Sequence, residues 1–236
     1  MNEPYVIYNG VDSRTLGVAV EKLPDLHRAP ENVNLIQIDG RDGRLEDDEG
    51  TSDVYSDTMK INCFGVPLST VYNWLSGAGW LISSDEPDRR IWVSLHPQIK
   101  NARFRTQNCY DTLTVSMYCQ PYRYFNPDPD PAVITSSPGQ VDNPGTQRSL
   151  PVITIRASGT ISVLFGLYQM DFEELTDGII VDCEMQECFN LDRSELMNSY
   201  ANMDDFPTLE PGVNYVQWSG TGSVQSITVE RRCRDK

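Results

Sequence analysis

Short runs that alternate apolar and polar residues dominate the first half of the chain. Such alternation is typical of β-strands with one buried face, because successive side chains point to opposite sides of a sheet. The runs are rich in β-branched residues and are separated by turn-forming residues. They are YVIY (5–8), LGVAVEKL (16–23), VNLIQI (33–38), TMKINCF (58–64), RIWVSLH (90–96) and DTLTVSMYCQ (111–120). We therefore expect a β-rich N-terminal domain.

One segment, PLSTVYNWLSGAG (67–79), has helical periodicity instead. Its apolar stripe consists of Leu68, Val71, Tyr72 and Leu75. These positions follow the i, i+3, i+4, i+7 spacing that places side chains on one side of a helix. Pro67 near the start and Gly77 beyond the end are common at helix boundaries. The pattern predicts a single helix of about three turns.

The pattern breaks in the proline-rich segment 121–150 and then resumes. Proline lacks the N–H that a strand needs, so this segment is predicted to be a semi-rigid connector with a domain boundary inside it. The later strand signals are VITIRAS (152–158), ISVLFGLYQMDF (161–172), GIIVDCEM (178–185), NYVQWSG (214–220) and VQSITVERR (224–232). We expect two mainly-β domains, 1–130 and 131–236, the second of β-sandwich size.

The stretch IDGRDGRLEDDEG (38–50) poses a choice between a binding loop and a turn. A calcium loop needs oxygen ligands at a fixed alternation, which this stretch lacks. A phosphate cradle needs glycines that lead into a helix, and the many acids here would repel phosphate. The favoured interpretation is a hairpin or bulged turn in which Gly40 and Gly43 adopt positive φ angles.

Charge limits the classes of partner. The chain carries 34 acidic and 19 basic residues, a net charge of -15, and its pI is near 4.4. Grooves that bind nucleic acid require Lys and Arg, so such a groove is not expected. An acidic surface would instead keep DNA from adhering, because like charges repel. The 39% hydrophobic content is sufficient for packed cores.

The sequence gives little support for a membrane span, a leader or a metal site. It has no run of 18 apolar residues, and its N-terminus has neither a basic nor an apolar leader region, so we expect no membrane insertion and no signal peptide. The six cysteines form no C-x-x-C pair, and the two histidines, His27 and His96, are far apart in sequence. We expect no metal, no cofactor and reduced, mostly buried thiols.

Catalysis is not the favoured interpretation. Asp171, Glu173 and Glu174 resemble the paired carboxylates of glycosidases, but such clusters arise by chance in an acidic chain. The motifs of serine hydrolases, zinc proteases and dinucleotide-binding proteins are absent. We therefore predict no catalytic residues.

Aromatic residues suggest a different alternative. Tyr168 and Trp218 in the second domain could stack on sugar rings, as in a carbohydrate-binding module, although aromatic residues are more often part of a core. Trp74, Trp80 and Trp92 are predicted to lie in the core of the first domain.

Several stretches, taken in order along nearly the whole chain, resemble the distal tail protein (Dit) of siphophage-type bacteriophages and prophages. The N-terminal stretches are YNGVDSRTLGV, IQIDGRDGRL, WLSGAGWLISSDEPDRRIWVSLH and LTVSMYCQPYRY. The C-terminal stretches are NPGTQRSLPVITIRASG and FPTLEPGVNYVQWSGTGSVQSITVERRCR. Each stretch alone is weakly specific, and the ordered set carries the resemblance.

The resemblance implies an architecture and a role. It implies an N-terminal ring-forming (belt) β-sandwich with one α-helix and a C-terminal galectin-like β-sandwich. It further implies a homo-hexameric ring at the virion tail tip, made in the cytoplasm of the bacterial host. The expected partners are the major tail-tube protein, a tail-associated fibre or lysin protein and a receptor-binding protein, and DNA would pass through the channel without specific binding.

Four arginines are candidates for contacts between subunits of such a ring. They are Arg41, Arg44, Arg89 and Arg90, and acidic residues flank them in the sequence. A closed ring uses heterologous contacts, so a cation on one surface can meet a carboxylate on a different surface of the next subunit. Solvated loops without such contacts are the alternative.

Overall fold

The computed structural model describes residues 3–95, 99–104 and 110–236. The chain divides into two compact units, Met1–Asn126 together with Lys236, and Pro127–Asp235. Strands dominate both units, and the described residues contain one α-helix, which confirms the mainly-β fold class. None of the helices in these ranges is long and apolar enough to cross a membrane. Ring formation by the first unit and a galectin-like second unit stay predictions.

The first unit is an antiparallel sheet with one helix and a separate hairpin. Its strands are β1 (Val6–Tyr8), β2 (Val11–Asp12), β3 (Val18–Lys22), β4 (Glu31–Ile36), β5 (Leu45–Ser52), β6 (Tyr55–Phe64), β7 (Ala78–Ser83), β8 (Glu86–Ser94), β9 (Ile99–Phe104) and β10 (Tyr110–Phe125). A 3-10 turn covers Ser13–Leu16, and the helix α1 covers Leu68–Trp74. The sheet order is β2-β1-β7-β8-β10-β6-β3, with β9 also paired to β10, and β4 and β5 form a two-stranded sheet.

Alternate residues of this sheet form the core of the first unit. On β6 and β10, Met59, Ile61, Leu113 and Val115 are fully buried, whereas the residues between them face outward. The period of two that predicted these strands thus gives the inner face directly. Burying side chains of this kind contributes about 1.5–3 kcal/mol each relative to leaving them exposed.

The helix α1 is shorter than its periodicity predicts. It spans seven residues, about two turns rather than three. The Leu75 amide still donates to the Val71 carbonyl at 2.9 Å, but Gly77 then adopts a φ of 79° and the chain enters β7. Val71 and Leu75 are buried in the core, whereas Tyr72 of the predicted stripe is 37% exposed, because so short a helix presents only a narrow stripe to the sheet.

Strand β10 continues into the segment that the sequence assigned to the connector. It runs through Pro121 to Phe125, and its register against β8 shifts between Cys119 and Arg123. Proline is tolerated in a sheet at such an irregularity, because the ladder hydrogen bond is already interrupted there. The connector therefore begins after Phe125.

The second unit is a β-sandwich. Its strands are β11 (Ala132–Ile134), β12 (Gly139–Asn143), β13 (Val152–Phe165), β14 (Tyr168–Leu175), β15 (Ile179–Asp182), β16 (Glu187–Phe189), β17 (Ala201–Asn202), β18 (Gly212–Gly220), β19 (Ser223–Glu230) and β20 (Arg234–Asp235). A 3-10 turn covers Asn198–Tyr200. The last long strand, β19, pairs with β13 and β11 and so belongs to this unit.

The long strand β13 belongs to both sheets of the sandwich. Its first half pairs with β15 and β19, and its second half pairs with β14 and β18. The change of partners occurs near Gly159, which has a φ of 83° and lies where the register shifts. Side chains from both sheets, including Ile153, Ile155, Phe165 and Phe172, are fully buried in one core.

The connector prediction is wrong for part of the proline-rich segment. Residues 132–134 and 139–143 form the strands β11 and β12, which pair with β19 and β18. Both strands are short, and each has one partner in the described sheets. Proline is compatible with such edge strands, because one side of the strand does not need its N–H groups for a ladder.

Candidate functional site

The strands β4 and β5 form a hairpin that is separate from the main sheet of the first unit. In the part of the chain that the structure describes, no other strand pairs with either of them. Their connection contains Gly40 and Gly43, with φ angles of 78° and 81°. These left-handed conformations favour glycine, and they confirm that residues 38–50 contain a hairpin turn.

Both faces of this β4–β5 hairpin expose apolar side chains. Ile36 lies directly opposite Leu45, so the two share one face, and Leu35 lies opposite Glu46 on the other face. These three aliphatic side chains are 45%, 42% and 52% exposed, respectively. A two-stranded hairpin is at best marginally stable alone in water. Its uncovered aliphatic residues make the hairpin a candidate contact surface.

The structure places two of the four candidate arginines in this hairpin. Arg41 and Arg44 are exposed in the connection between β4 and β5. The backbone amide of Arg41 donates to the Ile38 carbonyl at 3.2 Å, which fixes the turn. The neighbouring strand carries Glu46 and Asp47, so the hairpin combines cations at its tip with carboxylates along β5. Contacts of these arginines with another subunit stay a prediction.

The other two candidate arginines lie on β8 and stack on aromatic rings. The Arg89 guanidinium is 3.8 Å from the centre of the Phe125 ring, and its Nη1 donates to an Asp88 carboxylate oxygen at 2.7 Å. The Arg90 guanidinium is 4.6 Å from the centre of the Trp80 ring. Stacking of this kind fixes each side chain and leaves its charge near the surface.

Strands β7, β8 and β10 together present an aromatic face, defined here as Trp80, Arg90, Trp92, Tyr118 and Tyr124. Trp80 contacts both Trp92 and Tyr124 edge to face, with ring centres 5.1 and 5.2 Å apart. Trp92 is 37% and Tyr118 is 50% exposed. The prediction that Trp80 and Trp92 are core residues is therefore wrong, because both point to the outer side of the sheet.

Trp74 behaves as predicted. It packs against the core of the first unit, and its Nε1–H donates to the Tyr8 carbonyl at 3.3 Å. The hydrogen bond satisfies the indole N–H while the ring is partly buried.

The cysteines that the structure describes are buried and free, as predicted, and Cys109 lies outside the described residues. Burial raises the pKa of the Cys183 thiol to about 12 and that of Cys188 to about 11. Burial likewise raises the pKa of Cys119 to about 12, with a further contribution from the nearby charge of Asp57. These thiols stay protonated near neutral pH and are poor nucleophiles.

The two proposed sugar-stacking residues lie on the inner side of their sheet in the second unit. Tyr168 is opposite the buried Phe165, and Trp218 is opposite the buried Val163. Directly opposite residues share a face, so both rings point towards the core. Trp218 packs against that core, and the Tyr168 hydroxyl is 3.0 Å from the Thr208 hydroxyl. Sugar binding by this pair stays a prediction, and their orientation does not favour it.

The outer side of the same sheet exposes residues that the sequence did not single out. Tyr215 is 54%, Val213 56% and Leu164 42% exposed, and Leu167 at the β13–β14 turn is 97% exposed. Gln140 lies directly opposite Tyr215. Strict alternation with the buried Asn214 and Val216 could have identified Tyr215 as an outward residue.

The three acidic residues singled out in the sequence lie in two places, two on the outer side of β14 and one at a depression. Asp171 and Glu173 lie on the outer side of β14, and Asp171 accepts hydrogen bonds from the Gln169 side chain. Glu174 lines an open depression of about 380 Å³ together with Asp177, Asp192 and Glu195. Within residues 3–95, 99–104 and 110–236, no group of three or more His, Cys, Asp or Glu side chains is arranged to hold a metal ion.

One buried carboxylate in the second unit, that of Asp182, accepts several hydrogen bonds. Asp182 is 1% exposed and accepts hydrogen bonds from the Arg232 guanidinium, at 3.0 and 3.4 Å. Arg193 lies 3.5 Å away, and the Glu184 and Met185 amides also donate to the carboxylate. Burial alone would raise the pKa of Asp182, but the hydrogen bonds and charge of Arg232 outweigh it and the pKa is lowered. The arrangement keeps the buried carboxylate charged and hydrogen-bonded.

Comparison with known proteins gives a likeness of fold. No family model and no curated protein sequence matches this chain. Seven chains of solved structures match it. One of them is the crystal structure of the Dit protein of SPP1, described as a paradigm of the hub adsorption apparatus in phages that infect Gram-positive bacteria.

The likeness to SPP1 Dit extends over both molecules. It covers 97% of this chain and 98% of that chain, with a TM-score of 0.74 and 15% sequence identity. At this identity the likeness establishes the fold alone. The resemblance to distal tail proteins that the ordered sequence stretches indicated is thus confirmed as a resemblance of fold.

Proposed function

We propose that this chain is a structural hub protein of a phage tail tip. In this role six copies form a ring that joins the tail tube to a tail-associated fibre or lysin protein and to adhesion proteins, and the ring leaves a channel for DNA. The chain performs no catalysis in this role. It is made in the bacterial host cytoplasm and acts in the virion.

The observation that carries the proposal is the full-length likeness to SPP1 Dit. A match to one sandwich would say little, because many unrelated proteins contain β-sandwiches. Here both units and nearly all residues of both chains are included. The combination of two β units, with a helix and a separate hairpin in the first, is a more specific arrangement than either unit alone.

The exposed β4–β5 hairpin supports assembly into a ring. A heterologous contact joins two different surfaces of identical copies. The hairpin, which no other strand of the described sheets covers, can supply one of these two surfaces. Contacts of this type repeat from copy to copy, and they end at a definite number of subunits when the rotation between neighbours closes a ring. Each interface should bury at least about 1,000 Å² in total.

The net charge of -15 sets a condition on the ring. Six copies repel one another unless most acids lie away from the contacts. Carboxylates that line the central channel would meet this condition, and they would also let DNA pass without adhering. A ring with a basic lumen would contradict this part of the proposal.

Immunogold electron microscopy of virions tests the location. Antibodies raised against the purified chain should label the tail tip of particles produced by the strain that encodes it. Labelling along the tube, on the capsid or on no part of the particle would contradict the proposal. Particles treated with pre-immune serum are the control.

Glycan binding is the second candidate function, and one observation favours it. Tyr215 is exposed on the outer side of a sandwich sheet, and the side chains of Gln140 and Gln217 share its face. An exposed ring beside amides can stack on a sugar and donate hydrogen bonds to its hydroxyls. A glycan array should then show binding that Tyr215→Ala removes, and equal signals for both proteins would reject it.

A further inference from the structure

The outer side of the sheet in the first unit has two chemically different regions. Along β6 it presents Ser56, Thr58, Lys60 and Asn62, which are polar. Across β7, β8 and β10 it presents the aromatic face. The outer side of this sheet thus has a largely polar part along β6, where only the terminal Phe64 is aromatic, and an aromatic part across β7, β8 and β10. The two parts meet where Ser56 lies opposite Tyr118. Such a difference is not needed for the fold, because all of these residues lie on the side away from the core.

The composition of the aromatic face is typical of the centre of a protein interface. Trp, Tyr and Arg are the residues most enriched where truncation costs the most binding energy. The rings are held in place by edge-to-face contacts, and Arg90 is stacked on Trp80. A partner would therefore meet a pre-ordered surface and lose little additional side-chain freedom on binding.

The β4–β5 hairpin has the complementary chemistry. On one of its faces it exposes Ile36 and Leu45, which can pack against the aromatic rings, and on the same face the carboxylate of Asp47, which can approach Arg90. Its aliphatic side chains remain exposed within one copy of the chain. The hairpin does not bury them against its own aromatic face, so they are available to a second copy of the chain.

We propose that the aromatic face of one copy seats the β4–β5 hairpin of a neighbouring copy. This inference rests on the proposed ring and specifies the two surfaces that join its subunits. The contact is heterologous, because a hairpin meets a sheet face rather than another hairpin. Packing of Ile36 and Leu45 on the rings supplies the attraction, and the approach of the Asp47 carboxylate to Arg90 sets the orientation.

Site-specific photo-crosslinking of the full chain tests the contact. Tyr118 is replaced by benzoylphenylalanine, and this protein is mixed with a nitrogen-15-labelled copy of the unaltered chain. After irradiation, mass spectrometry identifies the crosslinked peptides and the copy from which each came. The matched control carries the same photo-reactive residue at Lys60, on the polar part of the same sheet side.

The proposal predicts crosslinks from position 118 to residues 31–52 of the labelled copy and none to that segment from position 60. Multimers whose crosslinks from position 118 reach other segments would overturn this inference and leave the proposed ring intact. Crosslinks to the hairpin of the same copy only would also overturn it. A protein that stays monomeric at every concentration would contradict both this contact and self-assembly of the ring.

Discussion

Arg232 and Asp182 lie 50 residues apart in the sequence and are joined by hydrogen bonds of 3.0 and 3.4 Å across the second unit. Asp182 ends β15, and Arg232 follows β19. Strands β15 and β19 pair with opposite sides of β13. The Arg232–Asp182 pair therefore joins the ends of these two strands across β13. Because Asp182 is 1% exposed, its charge depends on this partner.

Replacing Arg232 should destabilise the second unit. Arg232→Ala leaves a buried carboxylate with fewer donors, and we expect a loss of about 2–4 kcal/mol in the free energy of unfolding. Chemical denaturation followed by circular dichroism measures it. The matched control is Arg156→Ala, at an exposed position of β13, which should change stability by no more than about 0.5 kcal/mol. Equal effects of the two substitutions would contradict the assigned role.

The same carboxyl should make stability depend on pH. The pKa of Asp182 in the folded protein is lowered from its ordinary value of 3.8. A carboxyl whose pKa is lower in the folded than in the unfolded state stabilises the folded protein at any pH above its unfolded-state pKa. This contribution is lost as the pH falls through the folded-state pKa. Wild type should therefore exceed Asp182→Asn in stability near neutral pH, and the difference should shrink below pH 3.8. A difference that is constant or grows on acidification would contradict this assignment. Asp177→Asn, at an exposed position, is the control and should show no such dependence on pH.

The hairpin should matter for assembly and little for folding. Ile36→Ser combined with Leu45→Ser removes two aliphatic side chains that are already 45% and 42% exposed. We expect a small change in stability, within about 1 kcal/mol, together with loss of multimers in size exclusion. Val133→Ser, at a 63% exposed position of the second unit, is the matched control and should leave multimers intact. Multimers that survive the double substitution would exclude the hairpin from the contact.

Trp218 should behave as a core residue. Because it packs against the sandwich core, Trp218→Ala should lower the free energy of unfolding by about 2–3 kcal/mol. A sugar-stacking role predicts the opposite pattern, with unchanged stability and lost glycan binding. Thermal unfolding and a glycan array on the same preparation separate the two.

The buried thiols should be slow to react. In a Cys109→Ser background, the native protein should react little with Ellman's reagent near neutral pH, because burial raises the pKa of Cys183 to about 12 and of Cys188 to about 11. The same protein in guanidinium chloride should release the full signal at once. Rapid reaction of the native form would contradict the burial.

Strand alternation predicted much of the fold, because each domain buries one face of its sheets. The pattern failed for β5, whose sequence LEDDEGTS has no apolar alternation. That strand exists through backbone pairing with β4, and Leu45, Glu46, Asp47 and Asp48 expose their side chains on its two faces. It also failed for β11 and β12, where prolines suggested a connector although edge strands tolerate them.

The side of the sheet that each aromatic residue faces was harder to predict than the positions of the strands. Trp80 and Trp92 were assigned to the core because large aromatic residues are usually buried, but their neighbours Leu81, Ile91 and Val93 already fill the inner face. Tyr168 and Trp218 were considered as sugar-stacking residues only in the alternative interpretation, and cross-strand pairing places them on the inner side of their sheet. Which side of a strand faces the core depends on its pairing register, which the folded sheet sets and a single sequence does not fix.

The solution mass of the full chain tests the central claim most directly. Light scattering behind size exclusion, at two protein and two salt concentrations, should give a species of about 160 kDa, six times the chain mass of 26.7 kDa, because heterologous contacts that close a ring stop at a definite number. A mass of 26.7 kDa under all four conditions, or a mass that grows without limit with concentration, would contradict a self-assembling hexameric hub.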